Sequence, residues 1–268
     1  MQTHHDEMDL SLQKRHALIG GGSQGIGLAI AKELAALGAS CVLIARHDDR
    51  LQQAMAQLDI TQGQQHAYLV ADYLDTKNTE RTIKAFVAKQ PIDILVNNSG
   101  GPAPGDITGA TAAQFTQAFE QHIIAYQLIT QTLLSGMKAA GYGRIINVVS
   151  TSVRIPIMGL GVSNTIRGAV ASWAKTWSNE VAQYGITVNN ILPGATETPR
   201  LQRLIKARAE SEGLTTEAIA DQMTNEIPAK RFAKPGEIAA VAAFLASPAA
   251  AYINGTSIPV DGGKIDAI

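Results

Sequence analysis

The feature that most constrains the fold is a regular alternation of short apolar runs and longer amphipathic segments along the 268 residues. A run of about four to eight apolar residues has the length of a buried strand, and the segments between the runs are long enough for helices. Strand-helix-strand repetition places neighbouring strands parallel, with helices on both faces of the sheet. The alternation therefore predicts an α/β fold with one doubly wound, seven-stranded parallel sheet in a single domain.

The seven predicted strands are the apolar runs themselves. They are HALI (16–19), CVLIA (41–45), AYLVA (67–71), DILVN (93–97), RIINVVS (144–150), ITVNNILP (186–193) and SIPV (257–260). The predicted helices lie between them, at 25–37, 49–58, 77–90, 112–140, 164–183 and 235–246. We predict one domain over 9–268, behind a flexible tail at 1–8. Within it, the amphipathic segment 199–213 predicts a helical lid at about 196–230.

Composition excludes several classes of function. The chain has 22 Lys and Arg residues against 23 Asp and Glu residues, so it lacks the basic excess of a nucleic-acid-binding protein. It contains no run of about 18 uninterrupted apolar residues, so no membrane partner is expected. The single Cys41 cannot form an internal disulfide, which indicates a reduced, cytoplasmic setting. His4 and His5 lie in the polar tail, and no metal site is expected.

A glycine-rich turn follows the first predicted strand. The segment HALIGGGSQGIGLAIAKELAALG (16–38) contains a strand, a turn and a helix in direct succession. Such a turn needs glycine for a tight reversal, for close approach of the backbone to a diphosphate and for close packing of helix on strand. Gly21, Gly25 and Gly27 occupy these positions, and the helix behind them offers free N–H groups and a partial positive charge. The segment predicts a Rossmann-type site for a dinucleotide.

The end of the second strand bears on the choice of coenzyme. A carboxylate there accepts hydrogen bonds from the ribose 2′-hydroxyl of NAD(H), whereas a cation binds the 2′-phosphate of NADP(H). The strand ends in ARHDD. Arg46 comes first, and because its fork matches a phosphate, NADP(H) is favoured. Asp48 and Asp49 leave NAD(H) as the alternative, unless they only begin the next helix. Asp72 and the loop NNSGG (97–101) either border the adenosine or form turns.

Taken together, these segments resemble the short-chain dehydrogenases/reductases, most closely their ketoacyl-reductase-like branch. GGSQGIG is similar to the family's TGxxxGIG, NNSG (97–100) to NNAG, GRIINVVS (143–150) to the strand that ends in the catalytic serine, and GITVNNILPGATET (185–198) to the PG motif. Residues 231–263 resemble the C-terminal signature. The resemblance implies an NAD(P)H-dependent oxidoreductase that moves a hydride between the coenzyme and a small-molecule carbonyl or alcohol. It also implies a coenzyme site formed by Gly21, Ser23, Gly25, Ile26, Gly27, Arg46, Asp72, Asn98, Gly100, Arg167, Pro193, Gly194, Thr196 and Thr198.

The resemblance breaks at the catalytic residues that the family implies. In the family, a tyrosine thirteen residues after the serine donates the proton, and a lysine four residues later lowers the tyrosine pKa and holds the nicotinamide ribose. Ser150 matches the serine, but the tyrosine position is Ser163 and the lysine position is Arg167, so that YxxxK has become SNTIR. The family's helix asparagine falls on His122. Three of the four positions have therefore changed.

These replacements alter the acid chemistry that the site can perform. A serine hydroxyl is a far weaker acid than a phenol, so Ser163 cannot replace tyrosine as the proton donor. Arg167 keeps the positive charge but does not deprotonate. We expect Ser150, Ser163 and Arg167 to polarise the carbonyl, while a water, or His122 with a pKa near neutrality, supplies the proton. The alternative is a coenzyme-binding protein with little or no turnover. Tyr126, one turn beyond His122, is expected to pack in the core.

Two further expectations concern the substrate and the assembly. Arg154 and the basic residues of 199–213 either bind an acidic or phosphate-bearing substrate or form a solvated charged face. The family resemblance implies a homotetramer or a homodimer, built on the helices at 112–140 and 164–183 and on the last strand.

Overall fold

The computed structural model describes residues 8–267 and contains one parallel sheet of seven strands in the order β3-β2-β1-β4-β5-β6-β7. The chain starts in the middle of the sheet, runs outward to β3, returns to β4 beside β1 and then continues outward to β7. This confirms the predicted doubly wound sheet and single domain. The tail predicted at 1–8, apart from Met8, lies outside the described residues. The strands are β1 (His16–Gly20), β2 (Ser40–Ala45), β3 (Ala67–Val70), β4 (Ile94–Asn97), β5 (Gly143–Val148), β6 (Ile186–Pro193) and β7 (Ser257–Val260).

Nine α-helices accompany the sheet in the described part of the chain. None of the helices in residues 8–267 combines the length and the apolarity needed to cross a bilayer. The α-helices are α1 (Gly25–Ala36), α2 (Asp48–Met55), α3 (Thr76–Val87), α4 (Ala112–Phe119), α5 (Ala125–Ala140), α6 (Gly161–Val181), α7 (Pro199–Glu212), α8 (Thr216–Asn225) and α9 (Pro235–Ala246). The predicted lid segment 196–230 contains α7 and α8, and its action as a lid stays a prediction.

The strands contribute alternate side chains to two hydrophobic cores. Ile19 and Leu43 belong to the core that includes α1 and α9. Their neighbours Leu18 and Val42 belong to the opposite core, which includes residues of α3, α5 and α6. Because both faces of the sheet are covered, nearly every position of the central strands is apolar. This is why β1, β2 and β4 stand out in the sequence as nearly unbroken apolar runs.

The prediction of one continuous α-helix over 112–140 is wrong. A π-helical turn, Glu120–Ile124, separates α4 from α5. A π-turn widens the helix by one residue and shifts the direction of the side chains that follow it. It carries His122 at its centre and lies beside the loop that follows β4, since Gln121 Nε2 donates to the carbonyl oxygen of Gly100 at 3.0 Å. The interruption therefore lies next to the candidate site.

A row of polar side chains crosses the second half of the sheet. Asn97 Nδ2 donates to Asn147 Oδ1 at 2.9 Å, Asn147 Nδ2 donates to Asn190 Oδ1 at 2.9 Å, and Asn190 Nδ2 donates to Ser257 Oγ at 3.0 Å. The four residues occupy matching positions on β4, β5, β6 and β7. A slip of one residue would leave these amides unpaired in an apolar core, so the row specifies the register. It thereby positions the strand ends from which the site loops emerge.

Candidate active site

The cleft begins at the crossover from β1 to α1. Gly21 and Gly25 have left-handed backbones, with φ of 58° at each. A Cβ on Gly27 would overlap the carbonyl oxygen of Gly21 and lie 2.8 Å from Nδ2 of Asn98, so helix α1 can approach this closely only with glycine there. No side chain caps the N-terminus of α1. Its first N–H groups are therefore available to an external anion.

Asn98 holds the ends of the two central strands together. Its Nδ2 donates to the carbonyl oxygen of Gly20 at 3.0 Å. Gly20 is also crowded, because a Cβ there would lie 2.5 Å from the hydroxyl oxygen of Tyr73 and 2.6 Å from the carbonyl oxygen of Asn98. This contact lies where the strand order changes direction, which is the position at which doubly wound sheets bind their ligands.

A cavity of about 290 Å³ follows the carboxyl ends of β1, β2, β3 and β4. Gly27 packs behind this cavity and does not line it. Pro193, the last residue of β6, and Gly194 and Thr196, in the loop from β6 to Thr198, do not line it either. Arg167 does not line it either. The predicted coenzyme-site residues that the structure brings together here are Gly21, Ser23, Gly25, Ile26, Arg46, Asp72, Asn98, Gly100 and Thr198.

Arginine dominates the charge of this cavity. Arg46, Arg50, Arg200 and Arg203 line it, and Asp72 is the one carboxylate among its described lining residues. A concave surface of one charge sign attracts a ligand of the opposite sign. Arg46 is predicted for this role from the sequence, whereas Arg50, four residues later on α2, is not.

The acidic residues after β2 do not reach the cavity. Asp48 and Asp49 form the first turn of α2, where carboxylates stabilise the helix dipole. Asp48 Oδ2 accepts a hydrogen bond from Gln52 Nε2 at 2.6 Å. Of the two alternatives for these residues, the structure supports the one in which they begin the helix. Arg154 is exposed and lies outside the cavity lining, which fits the solvated-face alternative for that residue.

The residues expected to carry the chemistry lie deeper than the cavity. Ser150 follows β5, and its Oγ accepts the backbone N–H of Ser152 at 3.1 Å. Arg167 on α6 donates from Nη1 to the carbonyl oxygen of Val148 at 3.2 Å, two residues before Ser150. Ser163 precedes Arg167 by one helical turn, so both lie on the same side of α6. Ser163 and Arg167 are 5% and 6% exposed, and neither lines the cavity.

A hydrogen-bonded group that the sequence analysis did not predict lies beside Arg167. Nδ1 of His122 is 3.0 Å from Oγ of Ser99, which in turn is 3.0 Å from the hydroxyl oxygen of Tyr126. Tyr126 is fully buried, as expected for core packing, but its hydroxyl also belongs to this group. Burial lowers the pKa of Arg167, and the adjacent Tyr126 hydroxyl partly offsets that effect. The serine at position 99, where NNAG has alanine, was the available sequence signal.

The prediction that His122 titrates near neutrality is wrong. The side chain is 0% exposed, and its Nε2 has no hydrogen-bond partner among the described residues. Desolvation lowers the pKa of His122 well below 6.5, and the positive charges of Arg167 and Arg200 lower it further. A neutral imidazole exchanges hydrogen bonds with Ser99 but is not an imidazolium acid at neutral pH.

Helix α7 contacts the loop after β4. Thr198 caps the helix by accepting the backbone N–H of Leu201 at 3.3 Å. Arg200 donates from Nη1 to the carbonyl oxygen of Gly101 at 3.0 Å and from Nη2 to that of Pro102 at 3.3 Å. These hydrogen bonds join the start of α7, which lies in the predicted lid segment, to the loop after β4.

Known proteins share this sequence and architecture. A family model described as enoyl-(acyl carrier protein) reductase matches residues 21–264. The chain is 30% identical over 259 residues to the NADPH-dependent reductase BacG of Bacillus subtilis (strain 168), covering 96% of this chain and 100% of BacG. It is 31% identical over 255 residues to the 3-oxoacyl-[acyl-carrier-protein] reductase FabG of Vibrio cholerae serotype O1, covering 95% and 98%. The structure of L-sorbose reductase from Gluconobacter frateurii, complexed with NADPH and L-sorbose, matches with a TM-score of 0.91 at 32% identity, covering 97% and 100%.

The environment of His122 predicts a specific dependence of stability on pH. Its pKa is lower in the folded protein than in the unfolded chain, so from about pH 6.5 downward the unfolded chain binds a proton that the folded protein does not. The stability contributed by the neutral imidazole is present above that pH and is lost as the pH falls. As the pH falls from about 7 to about 5, we predict that the free energy of unfolding decreases less in His122→Asn than in the wild type. The two slopes should differ by at most about 1.4 kcal/mol per pH unit.

Urea denaturation at several pH values measures this effect. The matched control is His47→Asn, which removes an exposed histidine and leaves the buried His122 in place. The same slope in wild type and His122→Asn would contradict the account of His122.

Proposed function

Because the chain belongs to the short-chain dehydrogenase/reductase family, we propose that it is an NADP(H)-dependent oxidoreductase that transfers a hydride between the coenzyme and a small carbonyl or alcohol substrate. The observation that carries the proposal is the crossover from β1 to α1, where an uncapped helix N-terminus faces a cavity lined by four arginines. BacG is named an NADPH-dependent reductase, and the L-sorbose reductase structure contains NADPH.

Different parts of the cleft fit different parts of a dinucleotide. The N–H groups at the start of α1 bind the diphosphate, and the absence of a side chain at Gly27 gives the backbone the close approach this needs. Arg46 and Arg50 bind the 2′-phosphate, for which a guanidinium fork is suited. Asp72 borders the adenosine, and Arg167 holds the nicotinamide ribose. When bound, the coenzyme supplies the hydride.

The chain's own residues orient the carbonyl and stabilise charge. The hydroxyls of Ser150 and Ser163 donate hydrogen bonds to the carbonyl oxygen, and the fixed charge of Arg167 stabilises the negative charge that develops on that oxygen. Position 163 provides no phenol, and His122 is neutral. Water therefore delivers the proton to the substrate oxygen, and His122 acts as the hydrogen-bond partner of Ser99.

The competing function is coenzyme binding with little or no turnover. It is favoured by the replacement of tyrosine, lysine and asparagine at Ser163, Arg167 and His122 and by the burial of all three side chains. The fluorescence of NADPH on mixing reports binding in either case, whereas steady oxidation of NADPH occurs only in an enzyme. The homotetramer or homodimer and the cytoplasmic setting stay predictions from the sequence.

Coenzyme preference gives a direct test of the role of Arg46. We predict that Arg46→Ala weakens NADPH binding roughly 10- to 100-fold, which is the loss of a charge-assisted hydrogen bond worth about 1.5–3 kcal/mol. NADH lacks the 2′-phosphate, so its binding is expected to change little. Calorimetric titration of both coenzymes measures this, with Arg154→Ala as the control for an exposed arginine outside the cavity. Equal effects on NADPH and NADH would contradict the assignment.

Turnover tests the chemical roles. We predict that Ser163→Ala and Arg167→Met each lower kcat for NADPH-dependent ketone reduction by roughly 10²- to 10³-fold, the usual effect of removing one donor to a developing oxyanion. The measurement is NADPH oxidation with a panel of ketones, sugars and 3-oxoacyl thioesters. Ser172→Ala, on an exposed position of the same helix, is the matched control.

Two outcomes of that measurement would change the account. Unchanged kcat in both variants would remove Ser163 and Arg167 from the mechanism. Tight NADPH binding by the wild type with no oxidation across the panel would favour the competing function.

A further inference from the structure

Two arginines from different helices converge on Gly101, in the loop after β4. A Cβ built on Gly101 would lie 2.8 Å from Nη2 of Arg200 and 3.1 Å from Nη2 of Arg167. The Nη2 atoms of Arg200 and Arg167 therefore lie close to the same point. The distance between them is no greater than the sum of those two distances. Two oxygens of a single carboxylate can contact two guanidinium groups arranged in this way.

Each guanidinium has hydrogen-bond donors left over. Arg167 donates to the carbonyl oxygen of Val148, and Arg200 donates to the carbonyl oxygens of Gly101 and Pro102. A guanidinium carries five N–H groups, so these bonds leave further donors on both side chains. Within residues 8–267, neither arginine forms an ion pair with a carboxylate. Carbonyl oxygens accept hydrogen bonds but do not neutralise the two charges.

The electrostatic environment leaves this pair without a counter-ion. Burial lowers the pKa of Arg200, and the positive charges of Arg167 and Arg203 lower it further. The Tyr126 hydroxyl partly offsets the effect of burial at Arg167, but a neutral phenol supplies no counter-charge. Arg167 is 6% exposed, so water screens its charge poorly. Buried charges are costly unless they are paired. Violations of that rule concentrate at functional sites, where a ligand supplies the missing partner.

Groups other than the Arg167 and Arg200 pair are suited to the phosphates of the coenzyme. The N-terminus of α1 is suited to the diphosphate, and Arg46 and Arg50 line the cavity at the end of β2, where the 2′-phosphate is expected. Arg167 Nη1 instead donates to the carbonyl oxygen of Val148 at 3.2 Å, two residues before Ser150, and Ser163 precedes Arg167 by four residues on α6. An anion on the arginine pair would therefore lie beside the carbonyl that Ser150 and Ser163 orient.

We propose that Arg167 and Arg200 form a subsite for the carboxylate of the substrate, so that the substrates of this chain are short oxo acids and the corresponding hydroxy acids. Because the Arg167 guanidinium is hydrogen-bonded to the end of β5, just before Ser150, the pair suits a substrate whose carboxylate and carbonyl are close together in the molecule. Arg200 is the specificity-determining residue, and Arg167 contributes its charge to both the carboxylate and the reacting oxygen. This inference rests on the proposed hydride transfer in the same cleft.

Binding of matched acids and esters tests the proposal. Pyruvate, acetoacetate and phenylpyruvate, each beside its methyl ester, are titrated calorimetrically into the protein saturated with NADP⁺, which cannot reduce a ketone. We expect at least one acid to bind about tenfold more tightly than its ester, the effect of one charge-assisted hydrogen bond. Arg200→Gln should reduce that preference to about twofold or less. Arg208→Gln, on the same helix and ion-paired with Glu212, should keep the wild-type preference.

Several results would overturn the proposal. One is that none of the three acids binds more tightly than its ester up to about 20 mM, which is a binding energy of only about 2 kcal/mol. Another is an acid preference that persists in Arg200→Gln. A third is weaker NADP⁺ binding in Arg200→Gln with an unchanged acid preference, which would assign the arginine to the coenzyme diphosphate.

The same titration separates this proposal from the proposed function. NADP⁺ is titrated first, and its failure to bind the wild-type protein would refute the redox assignment alone. The acids and esters are then titrated into the coenzyme-free protein. A preference for the acid that disappears in Arg200→Gln supports the carboxylate subsite in that case also, and its absence refutes the subsite.

Discussion

The close contact among Gly21, Gly27 and Asn98 is the constraint on which the rest of the cleft depends. It brings the N-terminus of α1 against the end of β1, and the hydrogen bond from Asn98 to Gly20 holds β4 at the same point. A side chain at Gly27 would separate helix from strand and move the helix N–H groups away from any anion in the cavity. The row of amides from Asn97 onward specifies the register of the following strands, so the loops after β4 and β5 reach the cleft in fixed positions.

Two of the three replaced catalytic positions, His122 and Arg167, belong to one physical unit. Ser99, His122 and Tyr126 are joined by hydrogen bonds, and Arg167 is adjacent to the Tyr126 hydroxyl. An arginine at 167 carries a permanent charge in a buried place, and a neutral histidine beside it adds no second charge to repel it. The group therefore combines a fixed cation with neutral hydrogen-bonding partners. Such an arrangement is suited to stabilising negative charge, whereas the tyrosine and lysine of the family pattern deliver a proton.

Much of this architecture was predictable from the sequence because it follows from local pattern. Strands buried on both faces produce unbroken apolar runs, and the three glycines of the crossover have fixed spacing. The π-turn at 120–124 was not predictable in this way, since the apolar residues on either side continue at helical spacing. The lowered pKa of His122 depends on burial and on arginines far away in sequence. Convergence of Arg167 and Arg200 on Gly101 likewise requires three separate elements to meet, which no local spacing reveals.

Calorimetric titration of NADPH into two glycine variants tests the central claim most directly. Gly27→Ala places a methyl group against Gly21 and Asn98, whereas Gly168→Ala places one on helix α6 where no atom lies within 4 Å. Circular dichroism reports whether each variant keeps its fold. The account predicts that wild type and Gly168→Ala bind NADPH with similar Kd values, and that folded Gly27→Ala has lost that binding. Wild-type affinity for NADPH in Gly27→Ala, or no heat of binding in the wild type itself, would contradict it.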